Sequence, residues 1–435
     1  MDDEKVGIIG LGYVGLTLSL ALSQRGYFVK GSEANAQVRE QLKNGNPHFF
    51  EKNLEKFLKD SLESKRFEIV NPIDNGCNSY ILCVGTPLDN EKKPNLRIIE
   101  NATNELKNYL ENDPLIVIRS TIPIGTTEQI IIPILEQNGK KCGRDFSLAY
   151  APERTLEGKA MEELFSNSQI IGGYDEKSVM RATNLFRKIT PTIVSVSSIK
   201  SAEAIKLLDN TSRDFKFGFV NLFATLCEEK GLDAYEIINA ANVHYQRNNL
   251  PLPSPGVGGA CLTKDPLILA YSFPTAKHLD LILSMRKFNE EIPKRMVQRI
   301  DQHLEYTKKK IHDSSFFLSG FAFKGNPETD DTRNSTSLWF LDELRKVTNH
   351  IKGHDPVVKN EELEKLGIEA VNSYEQGFDG ADCAVFLNNH SSYSNLDIIS
   401  LSKRMNKPAI IFDSWRLLDN KIRNEKDIDY MGVGL

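Results

Sequence analysis

Hydrophobic residues in the N-terminal part of the chain fall into short runs that are separated by longer amphipathic stretches. A short, continuous apolar run is typical of a strand buried on both faces of a parallel sheet, and amphipathic stretches are typical of the helices that connect such strands. The alternation therefore predicts βαβ units on a parallel sheet. The predicted strands are residues 6–9, 28–31, 80–84, 115–119 and 148–150.

The hydrophobic pattern changes in the middle of the chain. From about residue 199 to residue 291 apolar residues recur with a helical period, interrupted by a glycine- and proline-rich loop. Strand-like runs return after about residue 311 and echo the N-terminal series; a structural repeat and the general pattern of α/β folds both explain the echo. We predict an α/β fold with two Rossmann-like doubly wound domains, joined by a long central helix and a helical middle domain. The predicted domain boundaries are 1–198, 199–305 and 306–435.

The composition is that of a folded globular protein. The 435 residues are 40% hydrophobic and 26% charged, which argues against long disordered, coiled-coil or collagen-like segments. A net charge of −5 without a Lys/Arg block argues against a nucleic-acid surface. The acidic start lacks a signal-peptide pattern, no apolar run approaches the roughly 20 residues of a membrane span, and six cysteines occur without a CxxC pair. We expect a cytoplasmic protein with no membrane or nucleic-acid partner.

The clearest motif is GLGYVG at residues 10–15, directly after the first predicted strand and before a helical run. Glycines let the backbone turn tightly and approach a pyrophosphate, whose charge is met by free N–H groups at the helix N-terminus. The second predicted strand leads to Glu33, roughly 20 residues on, where a carboxylate can bind ribose hydroxyls and repel a 2′-phosphate. The motif predicts NAD rather than NADP; a close-packed strand-to-helix turn is the alternative.

Polar residues follow three further predicted strands. Thr86 and Thr121 each place a hydroxyl at a C-terminal strand end, within expected reach of a dinucleotide, and Glu153 adds a carboxylate at another strand end. For both threonines the alternative is a structural role as a turn or helix cap.

A second glycine-rich segment, PGVGGACLTKD, places Cys261 four residues before Asp265. A thiol directly after such a loop lies where a ligand can approach closely, and a thiolate can attack a carbonyl carbon. A free cysteine in a turn is the alternative. No group of residues has metal-ligand spacing, so we predict no metal site.

The start of the predicted central helix carries Glu203, Lys206 and Asn210 at a spacing that puts them on one helical face. A cation beside an amide can stabilise an oxyanion, although a solvated polar face explains the same spacing. In the C-terminal part, Lys324 and the segment 330–333 can offer cations to phosphates, and a surface salt-bridge cluster is the alternative.

Taken together and in this order, these segments resemble the UDP-sugar 6-dehydrogenases, the family that includes UDP-glucose and UDP-N-acetylhexosamine dehydrogenases. The resemblance implies two successive oxidations of a sugar C6 alcohol to a carboxylate, using two NAD molecules and water. It also implies that domain 1–198 binds NAD and that domain 306–435 binds the UDP-sugar. The helical middle domain 199–305, which carries the cysteine loop, would be the dimerisation core of a homodimer or larger assembly. The segments that carry the resemblance cover nearly the whole chain: GLGYVG, CVGTP, RSTIPIGTT, APER, EAIKLLDN, GVGGACLTKD and FKGNPETDDTR.

The resemblance also implies roles for particular residues. The Cys261 thiolate would trap the aldehyde as a thiohemiacetal, the second oxidation would give a thioester, and water would cleave it. Lys206 and Asn210 would donate hydrogen bonds to the C6 oxyanion. Glu153 and Asp265 would serve proton transfer and the hydrolytic water, with the assignment of the base in each step left open.

The remaining implied residues bind ligands. Thr121 would orient the water or the nicotinamide, and Arg247 can reach the site of a neighbouring subunit. The implied cofactor-binding residues are Gly10, Gly12, Tyr13, Val14, Gly15, Glu33, Thr86, Thr121 and Arg333. The implied substrate-binding residues are Glu153, Arg154, Lys206, Asn210, Arg247, Pro255, Gly256, Gly258, Phe323 and Lys324.

The residues around the cysteine leave the sugar open. Many acetamido-sugar members have histidine before the cysteine and members acting on UDP-glucose often have serine, whereas this chain has Ala260. The segment 242–247 and PSPGVGG resemble the acetamido-sugar branch, and Lys264 with Asp265 resembles the glucose branch. We expect UDP-N-acetylglucosamine or UDP-N-acetylmannosamine, with oxidation of UDP-glucose to UDP-glucuronate as the alternative. A 3-hydroxyacid dehydrogenase, which needs no thiol, and an inactive nucleotide-binding regulator are the rival classes.

Overall fold

The computed structural model describes residues 4–435, so residues 1–3 of the predicted first domain lie outside the described part. The chain divides into two compact units. The first comprises the chain up to Asn210 together with Lys264–Ala276, and the second comprises Thr211–Thr263 and Lys277–Leu435. The functional division into three domains stays a prediction.

The first unit is built on an eight-stranded sheet. Its strands are β1 (Lys5–Ile9), β2 (Phe28–Ser32), β3 (Phe67–Val70), β4 (Ser79–Leu82), β5 (Leu115–Ile118), β6 (Ser147–Tyr150), β7 (Gln169–Gly173) and β8 (Ile193–Val196). They lie in the order β3-β2-β1-β4-β5-β6-β7-β8, and all neighbours are parallel except β6 and β7. The helices of this part are α1 (Tyr13–Gln24), α2 (Ala36–Lys43), α3 (Leu54–Glu63), α4 (Arg97–Leu106), α5 (Ile132–Leu135), α6 (Ala160–Ser166) and α7 (Glu176–Arg187).

Both faces of this sheet are buried, which explains the continuous apolar runs in the sequence. Successive side chains of β5 alternate between two separate hydrophobic clusters: Leu115 and Val117 belong to one, Ile116 and Ile118 to the other. Because neighbouring strand residues point to opposite faces, four apolar residues in a row are needed when helices cover both faces.

The helical middle of the chain consists of four helices. They are α8 (Ile199–Lys230), α9 (Ala234–Asn242), α10 (Asp265–Tyr271) and α11 (Asp280–Tyr306). The boundary between the compact units falls within α8, after Asn210, while α10 belongs to the first unit and α9 and α11 belong to the second. The predicted long central helix is therefore confirmed.

The second unit is built on a six-stranded, fully parallel sheet. Its strand order, β11-β10-β9-β12-β13-β14, repeats the first six positions of the first sheet. Two doubly wound sheets are thus present, which confirms the predicted fold class. The strands are β9 (Phe316–Ser319), β10 (Ile351–His354), β11 (Glu369–Ala370), β12 (Cys383–Phe386), β13 (Ala409–Asp413) and β14 (Ile428–Gly432). The helices are α12 (Thr336–Leu344), α13 (Asn360–Lys365), α14 (Tyr374–Phe378), α15 (Ile398–Ser402) and α16 (Asp419–Ile422).

The turn between β1 and α1 depends on its glycines for different reasons. Gly10 has a φ of 92°, in the left-handed region that favours glycine. A Cβ on Gly15 would collide with the main-chain carbonyl of Gly10, so the helix could not pack this closely against the turn. Gly12 has a φ of −66° and open space where a Cβ would lie.

Gly15→Ala is therefore expected to destabilise the first unit, because its collision partner is backbone. Overpacking costs ~1–3 kcal/mol when side chains can adjust, and this site should lie at the upper end or above. Gly12→Ala is the matched control, since the position has room and an ordinary φ. Thermal unfolding should show a lower Tm for the Gly15 variant only; equal Tm values would contradict the packing described.

Candidate functional site

The glycine turn and Glu33 form one polar cluster in the first unit. Glu33 follows β2, and its Oε2 accepts a hydrogen bond of 3.0 Å from the N–H of Leu11 in the turn. Its Oε1 accepts one of 2.9 Å from the N–H of Asn35. A carboxylate has about four acceptor positions, so capacity remains for hydroxyl donors. Together with the open space at Gly12, this arrangement fits the ribose and pyrophosphate of NAD.

Tyr13, a predicted cofactor-binding residue, also has a structural contact that the sequence did not predict. Its hydroxyl donates to the buried carboxylate of Glu51, which also accepts N–H bonds from Gly158 at 2.7 Å and Ala160 at 3.1 Å. Burial and the Glu51 carboxylate raise the pKa of Tyr13, so its hydroxyl stays protonated. Glu51 thus ties α1 to the segment before α6.

The two threonines at neighbouring strand ends are in direct contact. Thr86 is buried after β4, and its hydroxyl donates to the main-chain carbonyl of Thr121, which follows β5. Ser120 donates to the carbonyl of Val84 at 2.7 Å. These bonds close the C-terminal edge of the sheet between β4 and β5. The hydroxyl proton of Thr86 is therefore engaged by a main-chain carbonyl, and the binding of the cofactor by Thr86 stays a prediction.

The first turns of α8 present three buried polar side chains on one face. Glu203, Lys206 and Asn210 are 0%, 6% and 6% exposed, so the solvated-face interpretation is wrong. Glu203 accepts the N–H of Gly125 at 2.5 Å and both the N–H and hydroxyl of Thr127, at 3.0 and 2.6 Å. Burial raises the pKa of Glu203 despite these bonds. Its partners are all protein groups in the segment after β5, which indicates a structural role.

Lys206 forms a buried ion pair with Glu153. Its Nζ donates to the Glu153 carbonyl at 2.7 Å and lies 3.2 Å from Oε2. The N–H of Thr155 donates to the other carboxylate oxygen. Burial opposes ionisation of Glu153, but Lys206, the Thr155 bonds and the nearby Arg119 outweigh it, so the pKa of Glu153 is lowered. Glu153 is therefore a carboxylate at neutral pH, with the Lys206 Nζ as its nearest cationic group.

Asn210 contacts the second predicted carboxylate. Its Nδ2 donates to Oδ2 of Asp265 at 2.5 Å, and the Nζ of Lys264 lies 2.6 Å from Oδ1. Asp265 is fully buried and is the first residue of α10. The structure thus brings together four predicted catalytic residues of the first unit as two adjacent pairs along α8, Lys206 with Glu153 and Asn210 with Asp265.

Cys261 lies in the second unit and differs from the other thiols. Of the six cysteines, all within residues 4–435, Cys261 is the exposed one. Burial raises the pKa of Cys77 to about 11 and that of Cys142 to about 12, which makes these thiols poor nucleophiles at neutral pH. The accessible thiol is therefore the one at the position predicted for chemistry.

The loop before Cys261 is packed so closely that only glycine fits. A Cβ on Gly258 would lie 2.6 Å from the carbonyl oxygen of Asn334. Gly259, with a φ of 90°, would place a Cβ 2.8 Å from the ring of Phe323, and its N–H donates to the Asn334 carbonyl at 3.0 Å. Phe323 is thus a packing partner of this loop, and the predicted substrate residues Gly258 and Phe323 lie together.

The predicted cationic residues lie in different surroundings. In the second unit, Lys324 Nζ lies 5.3 Å from the ring of Phe323, and the exposed Arg333 forms a two-pronged ion pair with Asp331. Arg247, also in that unit, lies over the ring of Tyr245 at 5.9 Å. In the first unit, Arg154 Nε pairs with Asp209 at 2.8 Å.

No group of three or more His, Cys, Asp or Glu side chains among residues 4–435 is arranged to hold a metal ion. No helix in that range is long and apolar enough to cross a membrane.

Comparison with known families matches three segments of the chain. Residues 4–190 match the NAD binding domain of the UDP-glucose/GDP-mannose dehydrogenase family, residues 200–291 its central domain and residues 317–420 its UDP binding domain. The chain belongs to this family. It is therefore an NAD-binding oxidoreductase, and the resemblance inferred from the motifs is confirmed.

Individual members of the family are similar over the full length. The UDP-N-acetyl-D-mannosamine dehydrogenase of Pyrococcus horikoshii is 32% identical, with 94% of each chain covered, and that of Methanocaldococcus jannaschii is 33% identical, with 96% of this chain and 94% of that protein covered. The solved structure of the Pyrococcus horikoshii enzyme superposes with a TM-score of 0.89 and covers 99% of both chains.

Lys206→Met is expected to destabilise the protein by ~3–5 kcal/mol, because it leaves a buried carboxylate without its nearest cation. In the wild type the pKa of Glu153 is lower in the folded state than its ordinary value of 4.5. This difference stabilises the folded protein at pH values above 4.5, and that contribution is lost as the pH falls through the folded-state pKa. In the variant burial should raise that pKa, so stability should instead fall as the pH rises from about 5 to 8.

The matched control is Lys200→Met on the same helix. Lys200 pairs with Glu128 at 2.7 Å, but both side chains are more than a third exposed. An exposed pair contributes about 0–1 kcal/mol, so this variant should keep the wild-type pH profile. Tm measured between pH 4 and pH 8 compares the three proteins, and parallel profiles for both variants would contradict the assignment.

Proposed function

We propose that this enzyme oxidises the C6 hydroxyl of a UDP-N-acetylhexosamine to the uronic acid, with UDP-N-acetylmannosamine as the first candidate. The observation that carries the proposal is the exposed Cys261 thiol on a tightly packed glycine loop, in a chain whose two ends match an NAD binding and a UDP binding domain. A thiol in that position supplies what a four-electron oxidation needs, a nucleophile that retains the aldehyde between the two oxidations.

The first half of the proposed reaction forms the aldehyde. NAD, when bound, accepts a hydride from the sugar carbon in each oxidation. A protein carboxylate accepts the C6 hydroxyl proton, with Glu153 and Asp265 as candidates. Lys206 and Asn210 donate hydrogen bonds to the developing oxyanion, and such preorganised donors contribute several kcal/mol because they are fixed before charge develops. Their contacts with Glu153 and Asp265 supply this fixed geometry.

The second half forms and cleaves a thioester. The Cys261 thiolate adds to the aldehyde carbon, and the former carbonyl oxygen, now an alkoxide, takes up a proton. The product is a thiohemiacetal. Removal of a hydride and a proton from it leaves a thioester. Water then adds, the carbon–sulfur bond breaks, and the products are a carboxylate, the thiolate and protons. Thr121, with its hydroxyl at the strand end, is assigned to orient the water or the nicotinamide.

The remaining predicted residues are assigned to binding. In the NAD site, Tyr13 and Val14 start the helix whose N-terminus would face the pyrophosphate. Arg333 is assigned to cofactor binding because the resemblance implies it. Lys324 and the loop with Pro255 and Gly256 would hold the UDP-sugar, with Arg154 and Phe323. Arg247 would serve a neighbouring subunit. We place the enzyme in the cytoplasm, because none of its six cysteines, all within residues 4–435, forms a disulfide.

The similar proteins support an acetamido sugar. The relatives from Pyrococcus horikoshii and Methanocaldococcus jannaschii are both named UDP-N-acetyl-D-mannosamine dehydrogenases, and a Ralstonia relative, 28% identical, acts by name on an N-acetylgalactosaminuronic acid. UDP-glucose stays the alternative substrate because Lys264 and Asp265 resemble that branch. A panel of UDP-hexoses and UDP-N-acetylhexosamines should give two NADH per sugar with an acetamido substrate; preference for UDP-glucose would overturn the assignment.

Cys261→Ala is expected to lower turnover by on the order of 10³-fold or more, because the aldehyde loses its nucleophile. Binding of NAD, followed by fluorescence titration, should stay close to wild type. Cys227→Ala is the matched control: this thiol is buried in α8 and is expected to affect stability only. Full activity of the Cys261 variant with one NADH per substrate would favour the hydroxyacid class, and NAD binding without turnover in the wild type would favour a regulator.

We also infer that the enzyme is a homodimer or larger assembly. In the second unit, α8 exposes Phe215, Phe219, Leu222 and Leu226 at 37–50%. Their spacing of three and four residues puts them on one helical face, and a contiguous exposed apolar face is typical of a subunit interface. A second copy of this chain is the proposed partner, since this segment belongs to the family's central domain.

Phe219→Glu should disrupt this assembly, because a carboxylate buried at an apolar interface is costly. Light scattering after size-exclusion chromatography should show the mass of a single chain. Met180→Glu is the control, since Met180 is 59% exposed and belongs to α7 of the first unit rather than to the apolar face of α8. A wild-type protein that is already monomeric, or an unchanged mass for the Phe219 variant, would contradict the inference.

A further inference from the structure

The largest fully buried polar side chain of residues 4–435 lies outside the groups assigned to the reaction. Arg286, in the second turn of α11, is 2% exposed and ion-paired with the equally buried Asp214 of α8 at 2.6 Å. Its Nε also lies 3.3 Å from Glu290. Burial lowers the pKa of Arg286, which reflects how completely its charge has been removed from water. A buried pair of this kind adds little net stability compared with an apolar packing, so its position needs another explanation.

Arg286 donates to both sides of the cysteine loop. Its Nη2 donates to the carbonyl of Val257 at 2.7 Å, four residues before the cysteine. Its Nη1 lies 3.4 Å from the carbonyl of Leu262, the residue directly after it. The planar guanidinium has five donors in a fixed geometry, so one side chain can restrain both arms of a loop in a way that lysine cannot.

A network of buried amide side chains connects the Arg286 guanidinium to the start of the cysteine loop by hydrogen bonds. Asn289, one turn after Arg286, donates to Oδ1 of Asp214 at 3.0 Å and accepts from Asn221 at 3.1 Å. Asn221 in turn accepts the N–H of Ser254 at 2.8 Å. The Ser254 hydroxyl donates to the carbonyl of Gly256 at 2.8 Å. The loop is thus attached to two helices of its own unit from Ser254 to Leu262.

We propose that Arg286 is a positioning residue for the Cys261 thiol, acting by restraining the two ends of the segment that carries it. The thiol's part in catalysis rests on the function proposed above, whereas the restraint of the loop does not. Effective attack needs the reacting atoms in a defined geometry, and a displacement of about 1 Å can cost about 10²-fold in rate. Arg286 contributes that geometry without touching the substrate.

Three variants test the proposal. Arg286→Met removes the donors at similar volume, and Arg286→Lys keeps a cation for Asp214 but cannot donate to both carbonyls. Arg299→Met is the matched control on the same helix: Arg299 also pairs with a carboxylate, Glu228, and donates to two carbonyls, but those belong to Gly432 and Leu435 at the C-terminus. Both methionine variants thus lose an arginine that pairs with a carboxylate and donates to two carbonyls, with the Arg286 side chain 2% exposed and the Arg299 side chain 23% exposed.

The expected result is a loss that is specific to the loop. In Arg286→Met kcat should fall about 10²-fold while KM for NAD stays within about twofold. The kcat of Arg286→Lys should be about tenfold higher than that of Arg286→Met, and the kcat of Arg299→Met should stay near the wild-type value. Hydrogen exchange of the amides in residues 254–263 should accelerate about tenfold in Arg286→Met and stay unchanged in Arg299→Met. If Arg286→Met does not fold, Arg286→Lys carries the test with a tenfold lower kcat and faster loop exchange.

Two outcomes would overturn the proposal. One is that hydrogen exchange of the loop amides and kcat are both unchanged in Arg286→Met. If that variant does not fold, the same result in Arg286→Lys counts instead. The other is an equal fall of kcat in Arg286→Met and Arg299→Met at equal Tm, which would show general destabilisation. Hydrogen exchange needs no substrate. A wild-type enzyme that oxidises no UDP-sugar would therefore refute the proposed function, while the exchange data would still decide the restraint of the loop.

Discussion

A polar group that is buried must find a partner, and this requirement is repeated along one face of the long helix α8. Five polar side chains follow one another at spacings of three, four, four and seven residues: Glu203, Lys206, Asn210, Asp214 and Asn221. Each is buried and each contacts a different part of the chain. Leaving any of them unpaired would cost more than the contact itself is worth, so the surrounding loops are held where these partners need them.

The groups that contact these side chains of α8 differ between the two units. In the first unit the helix fixes the segment after β5 and the Glu153 carboxylate, which both follow strands of the NAD-binding sheet. It also fixes the start of α10. In the second unit it fixes Arg286 and the beginning of the cysteine loop. One helix therefore provides both the donors proposed for the oxyanion and the frame proposed for the thiol.

The conformation of the cysteine loop depends on both its glycines and the charged side chain of Arg286. The glycines allow backbone contacts with Asn334 and Phe323 that no larger residue would permit, and Arg286 then satisfies carbonyl oxygens that this close packing would otherwise leave buried without a partner. The glycine turn of the other unit is also held by a charged side chain, but of opposite sign: the Glu33 carboxylate accepts the N–H of Leu11, next to Gly10. Both loops keep their shape without a regular helix or strand.

The sequence by itself determined the fold class, the NAD turn, the cysteine and the polar face of α8, because apolar period, glycine spacing and residue chemistry are local properties. It did not reveal β3, β7, β8, β11 or β14, which are short, glycine-containing or partly exposed and so lack a continuous apolar run. Arg286 and Asn289 lie on the same face of α11 as the buried residues Ile292 and Met296. This helical spacing indicates that they are buried, but the pattern is recognisable only once the buried face of the helix is known. Only the tertiary structure decided that the polar face of α8 is buried and which groups pair with it, since burial and pairing depend on segments far apart in the chain.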